Sequence, residues 1–439
     1  VQRRTVPALL NIIRGHATAA HSSVLVTAHG HVNRVLLQAL AGKGASEFWR
    51  VKQVNCEAWK LVFHVSDGHD VQLVSASVVG PRITRADAQR AIDAKTKPLG
   101  ALGKLEECAV RLCVLQQTLK PELSRIRVCV FGADHGVSDE GVSAYPRAVT
   151  AEMMKNFSAG GAAINVLGIA NDVQIAVLDV GVDADLSALR NVQHAKVRNG
   201  SRNFAVEAAM SVEELNGAFA VGASAARRAV AEGVTAIGLG EMGIGNTTSA
   251  AALLAALTGS DATSTVGMGT GVNASTLELK RAVVTRALAL HGMRSATVSA
   301  RECLRRVGGL ELAAIVGAAI ESLNHPIALV ADGFISTVSV LCAGYIAHEE
   351  FALGARALSD RVFLAHQSSE RGHTLAVESL GALFGVQQRP LLDLEMRLGE
   401  GSGAALAMPL LRASAAIMRD MATFESAEIS AGDQEAQHH

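Results

Sequence analysis

The sequence predicts an α/β protein, a Rossmann-like parallel sheet with helices on both faces. Three observations carry this. Short apolar runs occur without alternation, as expected of strands buried on both sides. Each run ends in small or polar residues, the place where ligands bind in open parallel sheets. Alanine-rich stretches of helical length separate the runs, which gives repeated βαβ units.

In chain order, residues 126–131 lead into Gly132-Ala133-Asp134-His135-Gly136, and residues 173–178 into Asp179-Val180-Gly181-Val182. Residues 236–239 lead into Gly240-Glu241-Met242-Gly243-Ile244-Gly245-Asn246-Thr247-Thr248. Residues 327–330 precede Ala331-Asp332-Gly333-Phe334, and residues 362–364 precede Ala365-His366-Gln367-Ser368-Ser369. The five clusters are expected to converge on one site. Residues 249–257 are strong helix formers, so Asn246 and Thr247 are candidate caps of a helix start whose backbone N–H groups suit a phosphate. Glu241, at the end of a buried strand, requires partners for its carboxylate.

The most informative stretch is Leu398-Gly399-Glu400-Gly401-Ser402-Gly403, which precedes an Ala/Leu-rich helix. A single acid held between glycines, with no Lys or Arg in the loop to pin it, is placed to accept a proton.

Composition excludes several classes of function. Lys and Arg total 40 against 41 acids, so no net field favours nucleic acid or an anionic membrane. Aromatics are only 3%, too few for base-stacking platforms. No apolar run approaches the roughly 20 residues that span a bilayer. Cys56, Cys108, Cys113, Cys129, Cys303 and Cys342 are scattered without a C-x-x-C pair, the pattern of reduced thiols in a cytoplasmic protein. Asp134-His135, His366 and His373 lack the spacing of a metal site, and none is expected. They read as capping or supporting groups. A nucleotide-binding dehydrogenase would need G-x-G-x-x-G directly after its first strand and an acid about twenty residues on, where this chain has Gly-Ala-Asp-His-Gly.

A boundary is expected near Val79-Gly80-Pro81-Arg82. Ahead of it, Ser23-Val24-Leu25-Val26-Thr27-Ala28-His29-Gly30-His31 reads as a strand entering a helix, followed by strand-like runs around residues 59–65 and 71–75. This front part resembles the C-terminal half of the histidine phosphatase superfamily, and His29 matches a histidine that helps bind the phosphoryl group there. The Arg-His-Gly motif that carries that family's nucleophile has no counterpart: Arg14-Gly15-His16 has the letters in the wrong order. Residues 1–80 are expected to be catalytically inert, a truncated fusion partner or a docking element.

From residue 82 to 428 the chain resembles the nicotinate-nucleotide:dimethylbenzimidazole phosphoribosyltransferase family, which assembles the lower ligand (nucleotide loop) of cobalamin. The motifs occur in the family's order: Thr96-Lys97-Pro98-Leu99-Gly100-Ala101-Leu102-Gly103, Gly141-Val142-Ser143-Ala144-Tyr145-Pro146, the Glu241 to Thr248 stretch, Asp332-Gly333-Phe334, His366-Gln367-Ser368-Ser369-Glu370, and the loop around Glu400. The resemblance implies transfer of phosphoribose from nicotinate mononucleotide to 5,6-dimethylbenzimidazole without a cofactor, by a homodimer. It casts Glu400 as the base. It places Glu241, Gly243, Gly245, Asn246, Thr247, Lys280, Asp332, Gly333 and Ser368 at the nucleotide, and Ser143 and Leu398 at the benzimidazole. Met268 stands where the family is expected to have arginine. With the incomplete front segment, Met268 supports an alternative, a catalytically weak homologue that binds azoles or nucleotides as a regulator. The expected domains are 1–80, 81–430 and a disordered tail at 431–439. A small helical domain is expected to form from residues near 82–120 and 405–430.

Overall fold

The computed structural model describes residues 58–65, 71–79, 83–269, 271–293, 298–350 and 356–430. In the first of its two units, Val1–Thr84, these form β1 (Ala58–Val65) and β2 (Val71–Val79), paired antiparallel with a bulge after Val62. His29 and the tail at 431–439 lie outside the described residues.

The second unit, Arg85–His439, opens with α1 (Arg85–Asp93) and α2 (Lys104–Gln116) before β3 (Ile126–Ala133). Then follow α3 (Ala148–Ala159), α4 (Ala163–Ala170), β4 (Gln174–Gly181), β5 (Val192–His194), α5 (Val212–Ala231) and β6 (Ala236–Met242). A helical stretch holds α6 (Asn246–Thr258), α7 (Ala262–Thr265), α8 (Ala274–Leu290), α9 (Ala300–Val307) and α10 (Leu310–Glu321). The chain ends with β7 (Ala328–Ala331), α11 (Phe334–Glu350), α12 (Arg356–Ser359), β8 (Val362–Leu364), α13 (Arg371–Phe384) and α14 (Ser402–Asp420).

Strands β3 to β8 form one parallel sheet in the order β5-β4-β3-β6-β7-β8. The chain moves outward from β3 to β5, then crosses to the other side of β3 and moves outward to β8. The switch point, where loops diverge and leave a crevice, therefore lies between β3 and β6. Strand β5 has no apolar run and is absent from the sequence reading. It is a three-residue edge strand that needs only one neighbour.

Alternation, invisible as a polarity pattern, reappears as two separate cores. On β3, Cys129, Phe131 and Ala133 face the core shared with α5, α6, α8, α10, α11 and α13. Ile126, Val128 and Val130 face the opposite core, with α2, α3 and α14. The helices from the two ends of this unit do meet. Cys108, Leu112 and Leu115 of α2 join Met408 and Leu411 of α14 in the second core. Thr96 N donates to Ala422 O at 3.0 Å, and Lys95 Nζ to Met421 O at 2.6 Å. These helices share the sheet's own core, because α14 also lies across β6 and β7.

Glycine sets the closest helix contact. A Cβ built on Gly222 of α5 would stand 1.7 Å from Ala314 O, and one on Gly317 of α10 would stand 2.2 Å from Phe219 O. The two backbones thus touch where any side chain would hold them apart.

Candidate active site

A cavity of about 380 Å³ opens at the carboxyl ends of β6, β7 and β8. It brings together Glu241, Gly243, Asn246, Thr247, Asp332, Gly333, Ser368, Leu398 and Glu400 from separate segments of the chain. Three of the five predicted clusters supply it. The other two, after β3 and β4, do not line it, although the chain beyond the β3 cluster reaches it through Tyr145, Val149 and Met153. In those two clusters Asp134 Oδ2 accepts from Asp183 N at 2.8 Å, and Asp179 Oδ1 from Val182 N at 2.9 Å.

Glu400 sits in a left-handed conformation, φ 64°, between Gly399 (φ 87°) and Gly401 (φ 84°). Three successive residues at positive φ make a tight turn that presses onto β6. A Cβ on Gly240 would lie 2.8 Å from Glu400 O, so glycine is required on the strand beneath. The Glu400 side chain is buried, and its Oε2 finds no hydrogen-bond partner among the described residues. Burial pushes its carboxyl above the ordinary glutamate range, while the Ile164 backbone N–H pulls it back. Arg397, three residues ahead, also lines the cavity, but its charge acts on Glu370.

Asp332 is a capping aspartate for a helix distant in sequence. Its Oδ1 accepts from Ala404 N at 2.9 Å and its Oδ2 from Gly401 N at 3.3 Å, which fixes the start of α14 and with it the Glu400 loop. Burial raises the Asp332 carboxyl to about 7, against those backbone donors. Glu241 is raised well above its ordinary range, first by burial and then by the charges of Asp332, Glu311 and Glu400. Burial raises Glu370, the fourth acid on the wall, as well, so all four cavity carboxyls hold protons more tightly than isolated acids.

The start of α6 differs from expectation. Gly245, at φ 99°, is the cap, and neither Asn246 nor Thr247 caps the helix with its side chain. A glycine reaches this conformation without strain, leaving the Asn246 amide to donate to Glu241 Oε2. Thr247 Oγ1 instead accepts from Lys280 Nζ at 3.2 Å, and Lys280 also donates to Gly267 O at 3.2 Å.

Gly245, Lys280 and Ser143 are not among the residues lining the cavity. Lys280 is buried directly behind Thr247, and burial lowers its ammonium below the usual lysine range. Ser143 accepts from Tyr145 N at 3.2 Å, and it is Tyr145 that reaches the cavity. Met268 is 54% exposed and does not line the cavity.

Sequence reasoning missed Met153, Phe334, Glu370, Met396 and Arg397, all of which line the cavity. Met396 and Arg397 arrive on a segment placed by backbone pairing: Gln367 N donates to Leu392 O at 2.8 Å. His366 Nε2 accepts from Leu394 N at 2.8 Å, and His373 Nδ1 accepts from Ser368 N at 2.9 Å. Both histidines act as backbone caps here. Burial lowers His373 to about 4, which keeps its acceptor nitrogen unprotonated.

A carboxylate of raised proton affinity beside a glycine-capped helix start, at the carboxyl ends of a parallel sheet, suits a transferase acting on a nucleotide. A family model described as Phosphoribosyltransferase matches residues 81–429, and the chain belongs to the nicotinate-nucleotide–dimethylbenzimidazole phosphoribosyltransferase family. The protein of that name from Thermus thermophilus is 49% identical, covering 79% of this chain and 98% of its own length. That from Chromobacterium violaceum is 47% identical, covering 76% and 92%. The crystal structure of CobT from Thermus thermophilus superposes with a TM-score of 0.73 at 48% identity, covering 79% of this chain and 99% of that one. Residues 1–75 match the histidine phosphatase superfamily (branch 1). That match carries the superfamily and its place at the front of this chain, not the assignment to a C-terminal half. Among the described residues no helix is long and apolar enough to cross a membrane.

Proposed function

We propose that the chain transfers the phosphoribosyl group of nicotinate mononucleotide to 5,6-dimethylbenzimidazole, giving α-ribazole 5′-phosphate and nicotinate. The carrying observation is Glu400: a buried carboxylate on the cavity wall, raised by burial, with one oxygen unpartnered. Its carboxylate removes the benzimidazole N–H proton as the other ring nitrogen attacks C1′. The C1′–N bond breaks with its electron pair going to the pyridinium nitrogen, which becomes the neutral ring nitrogen of the nicotinate anion. The leaving group is already cationic, so no proton need be donated to it. What remains for the protein is alignment of the two rings and a hold on the phosphate.

Asn246 orients Glu241, which is placed to bind ribose hydroxyls. The amides of Ile244, Asn246 and Thr248 already have acceptors, in Thr150 Oγ1, Gly243 O and Gly245 O. The phosphate is therefore assigned to the positive end of α6 at the amide of Thr247, which lines the cavity, with Gly245 and buried Lys280 behind it. Ser368 and Gly333 complete the nucleotide side. The benzimidazole lies against Leu398 and Tyr145, with Ser143 behind Tyr145.

The test is to mix the purified chain with both substrates and follow nicotinate and α-ribazole 5′-phosphate by mass spectrometry. Both should appear in equal amounts, and absence of nicotinate would overturn the reading. A cytoplasmic homodimer is the state the family resemblance supports. Light scattering at twice the chain mass would establish the dimer, and a mass equal to one copy would exclude it. The front segment is read as inert in phosphoryl transfer because its matching stretch lacks the nucleophile motif.

A further inference from the structure

The mechanism gives no role to a buried pair of titratable side chains at the back of the nucleotide loop. His135 and Glu311 are fully inaccessible to solvent, and His135 Nε2 lies 2.5 Å from Glu311 Oε1. The pair sits at the sheet's switch point, directly behind the nucleotide loop. A Cβ on Gly243 would lie 3.2 Å from the His135 ring, one on Gly245 3.3 Å from His135 Cβ, and one on Gly309 2.2 Å from His135 Cε1. The imidazole is thus wedged between the loop and the start of α10, and its volume requires glycine at 309, whereas Gly243 is confined first by Ala133 O at 2.3 Å and Gly245 by its positive φ.

Hydrogen-bond donors fix the proton count. Ser249 Oγ lies 2.9 Å from Gly308 O and 3.3 Å from Val307 O, and its single proton serves these carbonyls. His135 Nδ1, 3.1 Å from the same oxygen, must then be the donor to it. With Nδ1 protonated, the short Nε2 to Oε1 contact holds one more proton. Whichever atom carries it, the pair has no net charge. Glu311 Oε2 is buried with no hydrogen-bond partner among the described residues, so His135 and the positive end of α10, in whose first turn Glu311 lies, balance this carboxylate. Glu311 also stands close enough to push the Glu241 carboxyl upward.

We propose that His135 and Glu311 are positioning residues that brace the 243–246 loop from behind and keep the ground beneath the nucleotide's phosphate electrically neutral. The pair touches no substrate. Its effect passes through Gly243, Gly245 and the start of α6. Loss of the ring alone leaves a lone buried carboxylate behind an anion site, where repulsion is weakly screened. This inference rests on the phosphate placement above.

The decisive comparison is between His135→Ala and the double variant His135→Ala/Glu311→Gln. The single variant should raise the KM for nicotinate mononucleotide about tenfold or more, the size expected when one buried charge loses its partner, with kcat and the KM for dimethylbenzimidazole changed far less. The double variant removes the carboxylate while keeping the cavity, and should return the nucleotide KM to within about threefold of the parent chain. A double variant as impaired as the single one would overturn charge compensation. A nucleotide KM unchanged in the single variant, whatever its melting temperature, would reduce the pair to core packing. If alanine prevents folding, His135→Gln, which fills part of the ring's volume, carries the same comparison. Failure of the parent chain to bind nicotinate mononucleotide in calorimetry would count against the functional reading and not against this pair.

Discussion

Glu400 shows how a single residue acquires a chemical role from its backbone. Its positive φ places the carboxylate where glycine neighbours cannot screen it, and burial then raises its affinity for a proton. Glu400→Gln should lower kcat by about a hundredfold or more, in the range of general-base losses, while calorimetry finds nicotinate mononucleotide bound nearly as before. Near-normal turnover at saturating substrates would remove Glu400 from the role. The same carboxyl must be ionised to act, so kcat/KM should fall as the solution is acidified, with an inflection above the ordinary glutamate value of 4.5. A profile that stays flat down to that value would contradict the assignment.

At the scale of elements, the α5–α10 contact is the most demanding. Gly222→Ala would place a methyl 1.7 Å from Ala314 O, so the helices must separate. Overpacking of this kind costs about 1–3 kcal/mol, to be read as a lower urea midpoint at constant m, with the KM for both substrates unchanged. Altered KM values would mean that this contact reaches the cavity. Such contacts also show what the sequence concealed. Strands β3, β4, β6, β7 and β8 were legible because burial on both faces leaves uninterrupted apolar runs. Strand β5 left no such run. Glu241, Asp332 and Glu400 stood out as acids beside glycines, whereas which side of the α6 start faces the cavity depends on the rotation of Gly245, and no residue type encodes that. Lys280 therefore came to lie behind Thr247 and not on the wall. Arg397 and Met396 depend on a backbone pairing between residues 367 and 392 and on the His366 ring, which accepts from the Leu394 and Met396 amides, and neither contact shows in the residues of the segment itself.

For the whole molecule, the question is what the front segment contributes. Unit Arg85–His439 contains the complete sheet and the cavity, and the phosphoribosyltransferase match begins at residue 81. Deleting residues 1–80 should leave kcat and KM within about twofold, since the family match and the six-stranded sheet lie wholly beyond them. A larger change would give the segment a part in the transferase reaction. In the intact chain the phosphomonoester product should accumulate without release of inorganic phosphate. Phosphate release abolished by His29→Ala would reveal a working phosphatase.

The hydrogen bonds that join Thr96 to Ala422 and Lys95 to Met421 have one more consequence. They bring the beginning and the end of this unit side by side, so its elements form a closed ring in space though the covalent chain is open. A ring has no privileged opening. Joining residue 430 to residue 85 through a short flexible linker and cutting the chain at the exposed turn around Gly233 should yield a circular permutant with the same sheet order and the same cavity.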